Sequence, residues 1–321
     1  MPLLYHNTTV DVFDKMLVNY TSINPFLTFW ATHHRYMNDE NEFQLGYHAL
    51  MMYLERIEEE EKIPPQYQFY KVLNEHPENL SKLLINNMFK SSSERIESSG
   101  VAVQNYSYVI SFSQQKDNIP MWYIYGDKGH GISLGFDENN LKKNIRYKDP
   151  QNELAQIKLN RCIYFDRKNG TPSNDIYLLV KEYYKNAANK DVIKTLNMLY
   201  KTEEKIEGLD LCPGTLVSIF NNLIHLIGST IKDSDWSFEN EYRLNISNYR
   251  LDAIKYRQSN KLGYIPYLEI YIGIDALKEI IIGPTEDYLS TTKKIYSILN
   301  RYVINIRNID IIPSKVFMRN T

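Results

Sequence analysis

Residues 108–137, YVISFSQQKDNIPMWYIYGDKGHGISLGFD, leave the chain little local choice. An apolar run ends in Ser111-Phe112-Ser113 and reads as a strand. A polar turn leads to Pro120, a residue favoured in the first turn of a helix. Met121, Trp122 and Tyr125 follow at short-helix spacing. Gly126, Gly129 and Gly131 then break the chain, and Ile132, Leu134 and Phe136 alternate as a second strand. Two serines, a Trp and a Tyr thus share one strand–helix corner. Such a corner is either ordinary packing or a site that holds a flat ring against an aromatic.

The chain before this stretch supplies a first strand, Leu3-Leu4-Tyr5-His6, with Asn7, Thr8 and Thr9 able to cap a helix over 10–18. His6 ends that strand, and read alone it is a hydrogen-bonded structural histidine. A second strand is expected over 26–32. Phe43, Tyr47, Leu50, Leu54 and Ile57 recur at helical spacing, and Glu58–Glu61 reads as a solvated acidic end. His33 and His34 could be drawn with Asp39 and Glu42 as a metal site. The spacing fits no standard ligand motif, and strand neighbours point to opposite faces, so no metal is expected. Residues 66–99 read as helical.

Beyond 137 a polar segment runs to 147, and Cys162-Ile163-Tyr164-Phe165 reads as a short strand. Residues 174–231 read almost wholly as helix. Strands resume after them, so 172–231 is taken as a helical insertion within one domain, 1–321.

The late stretch 236–246, WSFENEYRLNI, alternates. As one strand it would put Phe238, Tyr242, Leu244 and Ile246 on one face, and Glu239, Glu241, Arg243 and Asn245 on the other. Arg243 would then keep the Glu241 carboxylate ionised and oriented. The competing reading is a solvated charged face. Strands are expected over 267–272, 279–282 and near 304–312, with a helix over 285–300. The start of that helix is a potential phosphate site.

Composition removes several functions. The 321 residues carry a net charge of −2 with pI near 6.4, so no global basic field draws the chain to nucleic acid. Two cysteines, Cys162 and Cys212, offer no metal spacing and suit a reducing compartment. No apolar run reaches membrane-spanning length, and the first residues lack a signal-peptide pattern. The expected location is the cytoplasm.

His6 after a first strand, the Ser113–Tyr125 corner and a late Glu stand in the order that resembles the ADP-ribosyltransferase fold. Residues 112–136 are similar to the poly-ADP-ribose polymerase pattern of strand, Ser-containing turn, short helix ending in Tyr, and Gly-led strand. Asn240-Glu241-Tyr242 resembles the sequence around that family's catalytic Glu, and Glu239-Asn240-Glu241 has the Glu-x-Glu form of the arginine-specific branch. The chain also resembles, along nearly its full length, an uncharacterised bacterial family, a domain of unknown function. The shared pattern is Leu-Tyr-His, Asn-Asp-x-x-Glu, Ser-Phe-Ser, Met-Trp and Trp-x-x-Glu-x-Glu-x-Arg. It departs from the transferases at Asn7, where polymerases carry Gly, in Ser-Phe-Ser rather than Ser-Thr-Ser, and in a longer serine–tyrosine spacing.

The resemblance implies an α+β fold, an ADP-ribosyltransferase-like split β-sheet with flanking helices and a helical insertion, and NAD as substrate. Glu241 would stabilise an oxocarbenium-like centre beside the ribose 2′-hydroxyl. Glu239 would orient or activate the acceptor. Tyr125, with Trp122, would stack on nicotinamide, and His6 would bond a ribose hydroxyl. Ser111 or Ser113 would fix Glu241 or the ribose, with Arg243 behind the carboxylate. The implied acceptor is a protein or nucleic acid, in a toxin or anti-phage effector with an antitoxin or defence partner. NAD hydrolysis and a catalytically inactive binding or regulatory module are the alternatives.

Overall fold

In the computed structural model the stretch 108–137 folds as its sequence dictates: strand Tyr108–Ser113, helix Ile119–Tyr125 and strand Ile132–Asp137. Asn118 caps the helix through the Met121 amide at 3.4 Å, with Pro120 in the first turn, where a missing N–H breaks no bond. The structure describes residues 2–37, 42–63, 68, 70, 103–104, 107–147, 156–166, 173–187, 227–247, 249–259 and 262–318. They fall into two compact units: Met1–Met37, Ser107–Cys162 and Trp236–Thr321 form the first, Asn38–Tyr106 and Ile163–Asp235 the second.

The first unit runs β1 (Leu3–Thr8), α1 (Val10–Met16), β2 (Phe26–His33), β3 (Tyr108–Ser113), α2 (Ile119–Tyr125), β4 (Ile132–Asp137), α3 (Glu138–Lys143), β5 (Ile145–Tyr147), β6 (Gln156–Arg161), β7 (Glu241–Ser247), β8 (Lys255–Ser259), β9 (Gly263–Gly273), β10 (Leu277–Ile282), α4 (Tyr288–Arg301) and β11 (Asp310–Pro313). Its strands form one mixed sheet in the order β8-β9-β2-β3-β1-β4-β10-β11. β7 joins β3 to β6, and β5 joins β9. All pairs are antiparallel except β10–β11, which α4 connects.

The sheet forks at β3. One edge of β3 pairs with β7 along its whole length. The other edge is shared: β2 meets it at Thr32–Val109 and His33–Tyr108, and β1 meets it at Tyr5–Ser113. From there β2 continues along β9 and β1 along β4. A large apolar core holds this arrangement, with Leu4, Phe29, Phe112, Leu134, Leu244 and Ile280 fully or almost fully buried within it.

Local chemistry sets several boundaries that periodicity misplaces. Thr9 caps α1, its hydroxyl accepting from the Val12 amide at 3.2 Å, so β1 extends past His6 to Thr8. The polar segment after Asp137 is α3, capped by Asp137, followed by β5. Asp287 caps α4 and Glu286 accepts from the Thr291 hydroxyl, so α4 starts at Tyr288. Two carboxylates therefore occupy the place where a phosphate site was expected.

In the second unit, helix Glu42–Glu60 packs on helix Asn174–Ala187, and Ile163–Phe165 pairs in parallel with Ile231–Asp233. The acidic end of the first helix is a solvated face only in part: Glu59 and Glu60 are exposed. Glu58 is fully buried and accepts from the Tyr184 hydroxyl at 3.0 Å and the Tyr70 amide at 3.1 Å. Glu60 accepts from Tyr177 and from Lys181 at 2.7 Å, and Lys185 meets Glu61 at 2.9 Å. Of the expected insertion, 172–231, the helix at its start is observed. The helices expected across 66–99 and from 192 onward lie almost wholly outside the described residues, as do Asp39 and Cys212. Among the described residues no helix is long and apolar enough to cross a membrane.

Candidate functional site

Asn240 decides the geometry of the late stretch. Its φ is +41°, a left-handed conformation that Asn tolerates better than most residues. Residues Ser234–Glu239 form a 3-10 helix, and β7 begins only at Glu241. Glu239 and Glu241 therefore do not sit two apart on one strand, as simple alternation predicts. The kink turns Glu239 toward α2, where its Oε1 accepts from the Tyr125 hydroxyl at 2.6 Å.

Ser113 couples the two glutamates. In the β3–β7 ladder it stands opposite Glu241, while its hydroxyl donates to the Glu239 carbonyl at 2.5 Å and accepts from the Gln115 amide at 2.9 Å. Next along the ladder, Ser111 stands opposite Arg243. Arg243 donates from Nε to Glu241 Oε1 at 3.0 Å and from its terminal nitrogen to Oε2 at 2.9 Å. The two side chains are 1% and 3% exposed. The solvated-face reading of this strand is thereby overturned: its charges form a dry, bidentate pair. The Cys162 thiol completes the surround, with Sγ 3.7 Å from Glu241 Oε2.

His6 joins from the fork. Its Nδ1 lies 3.0 Å from the Ser111 carbonyl oxygen. A carbonyl can only accept, so Nδ1 carries the proton and a neutral ring keeps Nε2 as an acceptor. Burial pushes the ring below the usual histidine range, and the bond to Ser111 offsets only part of that. The ring packs on Phe29 and Phe112, with centroids 5.2 and 5.8 Å away, so it seals the crotch where β1 and β2 part. In register it is level with Leu134, one residue out of phase with Tyr5, the partner of Ser113. By strand alternation its side chain belongs to the core face, whereas Ser113, Glu241 and Arg243 share the other.

Trp122 stands apart. It is 1% exposed and packs with Tyr5 and Ile281. Its indole donates to Asp117 at 2.6 Å, and Asp117 also accepts from the Ser314 hydroxyl and the Lys315 amide. In this arrangement Trp122 pins the corner to the segment after β11. Of the expected site residues, the structure thus links Ser111, Ser113, Tyr125, Glu239, Glu241 and Arg243, reaches His6 only through a backbone carbonyl, and places Trp122 in the packing. Tyr125 alone of the Tyr125–Glu239–Glu241–Arg243 set is partly exposed.

Three contributors escaped the sequence reading. Cys162 lies beside Glu241. Asn240 supplies the kink and exchanges bonds with Gln114. Glu279, the one acid in Leu277–Ile282, accepts from the Tyr5 hydroxyl at 3.1 Å and pairs with Lys116 at 2.6 Å. An acid inside an apolar strand was the available signal for Glu279. His33 and His34 do not point to opposite faces. Their rings stack with centroids 4.4 Å apart, because β2 ends at His33 and His34 opens a 3-10 turn. Among the described residues no three His, Cys, Asp or Glu side chains are grouped to hold a metal.

Against known proteins, the model of a family described as a protein of unknown function, DUF2971, matches residues 121–244. The matched segment opens at Met121 in α2 and closes at Leu244 in β7, so it carries Tyr125, Glu239, Glu241 and Arg243 and leaves out β1 and β3. Searches of curated proteins and of solved structures returned no match.

Proposed function

We propose that this chain binds NAD and breaks its nicotinamide–ribose bond, passing ADP-ribose to a protein or nucleic acid. One observation carries the reading: at the end of β3, beside a forked sheet, Tyr125 bonds the Glu239 carboxylate, and Ser113 bonds the Glu239 carbonyl and stands opposite Glu241 in the ladder. When the bond to nicotinamide breaks, its electron pair leaves with the nicotinamide and positive charge builds on the ribose. A carboxylate fixed beforehand stabilises that charge without reorganising, as Glu241 is fixed by Arg243. The acceptor nucleophile then bonds to the ribose carbon, and Glu239 takes its proton. Tyr125, the partly exposed ring, is the surface for nicotinamide. The toxin or defence role comes with the resemblance alone.

The Glu241–Arg243 pair also favours a second reading. Both carboxylate oxygens are held and the pair is dry. A strand organised this way serves equally as the frame of a binding or regulatory module without catalysis.

Incubation with NAD labelled on its adenylate phosphate, in cell lysate, separates these. Label on a macromolecule is expected. Free ADP-ribose alone would make the protein a hydrolase, and unchanged NAD with a folded chain would leave the binding module.

A further inference from the structure

We infer that the groove between β5 and β6 takes up an extended acidic peptide of a partner protein. A cavity of about 580 Å³ opens there. Its floor is apolar, made by Ile145, Ile157, Leu159 and Leu244, and its rim carries Lys142, Arg146 and Lys158. Among the described residues β6 pairs only with β7 and β5 only with β9, so each keeps one edge unpaired. An unpaired edge offers a row of backbone donors and acceptors to an incoming strand.

The rim is short of counter-charge. Lys142 pairs with Glu138 at 2.6 Å and Arg146 lies over the Phe26 ring at 5.3 Å, while Lys158 makes no ion pair among the described residues. A peptide alternating acidic and apolar residues meets all three features. Its backbone extends the sheet, its apolar side chains cover the floor, and its carboxylates face the cations. A nucleic-acid strand fits less well, because among the described residues no aromatic ring lines the groove for bases to stack on. A lysine on an edge strand can also serve only to keep other strands away. The four apolar side chains that line the groove beside these cations are what distinguish a receptor from a guarded edge.

The inference is independent of NAD chemistry and is tested without NAD. A fluorescein-labelled hexapeptide of alternating Glu and Val is titrated with the full chain and followed by polarisation. Saturable binding is expected, and a Lys-Val peptide should not bind. Binding should weaken about tenfold with Lys158→Glu, at an exposed position, in a chain whose melting is unchanged. N-methylation of alternate peptide amides should weaken it similarly, with no change to the protein. Absence of saturable binding, equal binding of the Lys-Val peptide, or displacement by oligothymidylate would overturn the inference.

Discussion

The Tyr125 hydroxyl donates to the Glu239 carboxylate at 2.6 Å, joining a helix end to a 3-10 turn far along the chain. A hydrogen bond to a charged group is worth about 1.5–3 kcal/mol in net stability. Tyr125→Phe is therefore expected to lower unfolding stability by an amount in or just below that range, since Tyr125 is partly exposed. Urea denaturation measures it. A loss within error of zero would mean that Tyr125 and Glu239 are not bonded in solution.

Glu241 and Arg243 make the second prediction. Removing one partner of a buried pair strands the other charge, at a cost of about 3–5 kcal/mol. Glu241→Gln and Arg243→Met should each destabilise by that order. The double variant should cost clearly less than the two together. A double-mutant cycle by chemical denaturation reads the coupling, and additive losses would contradict a dry pair.

His6 gives stability a pH dependence. Its folded pKa lies below the ordinary 6.5, so the unfolded chain binds the extra proton. The contribution is complete above pH 6.5 and is lost as pH falls from there toward the folded value. Wild-type stability should drop over that window, while His6→Asn, which keeps a donor for Ser111, should be flatter. NMR should show the proton on Nδ1 at neutral pH.

Glu60 acts lower on the scale. Lys181, then Tyr177 and Arg56, hold its carboxyl at about 2, down from 4.5. Its contribution is full above pH 4.5 and fades as pH falls toward about 2. Because the group is open to water the effect is small, as for other surface networks. Glu60→Gln should flatten the acid limb of the unfolding curve, with a small loss of stability above pH 4.5 that vanishes toward pH 2.

The Glu58–Glu61 run shows why part of this was not legible. Composition marks four acids as solvent-seeking, yet the partners of Glu58 and Glu60, Tyr184, Tyr177 and Lys181, lie more than a hundred residues away. No local pattern encodes that pairing. The corner at 108–137 was legible because proline, glycine and alternation act over a few residues. The late strand was half legible. Alternation found Glu241 and Arg243, but one left-handed Asn240 moved Glu239 off the strand and onto Tyr125. Trp122 failed as a ring platform for the same kind of reason: its indole is claimed by Asp117, five residues back, and by Tyr5 and Ile281. The fork in the sheet follows from how β1 and β2 divide one edge of β3, which no single segment announces.

Nicotinamide release from NAD, followed by chromatography with purified wild type, Tyr125→Phe and Glu239→Gln, bears most directly on the proposed chemistry. Steady release by wild type is expected, with a loss of about a hundredfold or more in Glu239→Gln, in line with removal of a general base. A smaller loss, chiefly in KM, is expected for Tyr125→Phe, with both variants still folded by thermal melting. No release by wild type across a range of acceptors, or equal release by all three proteins, would contradict the account.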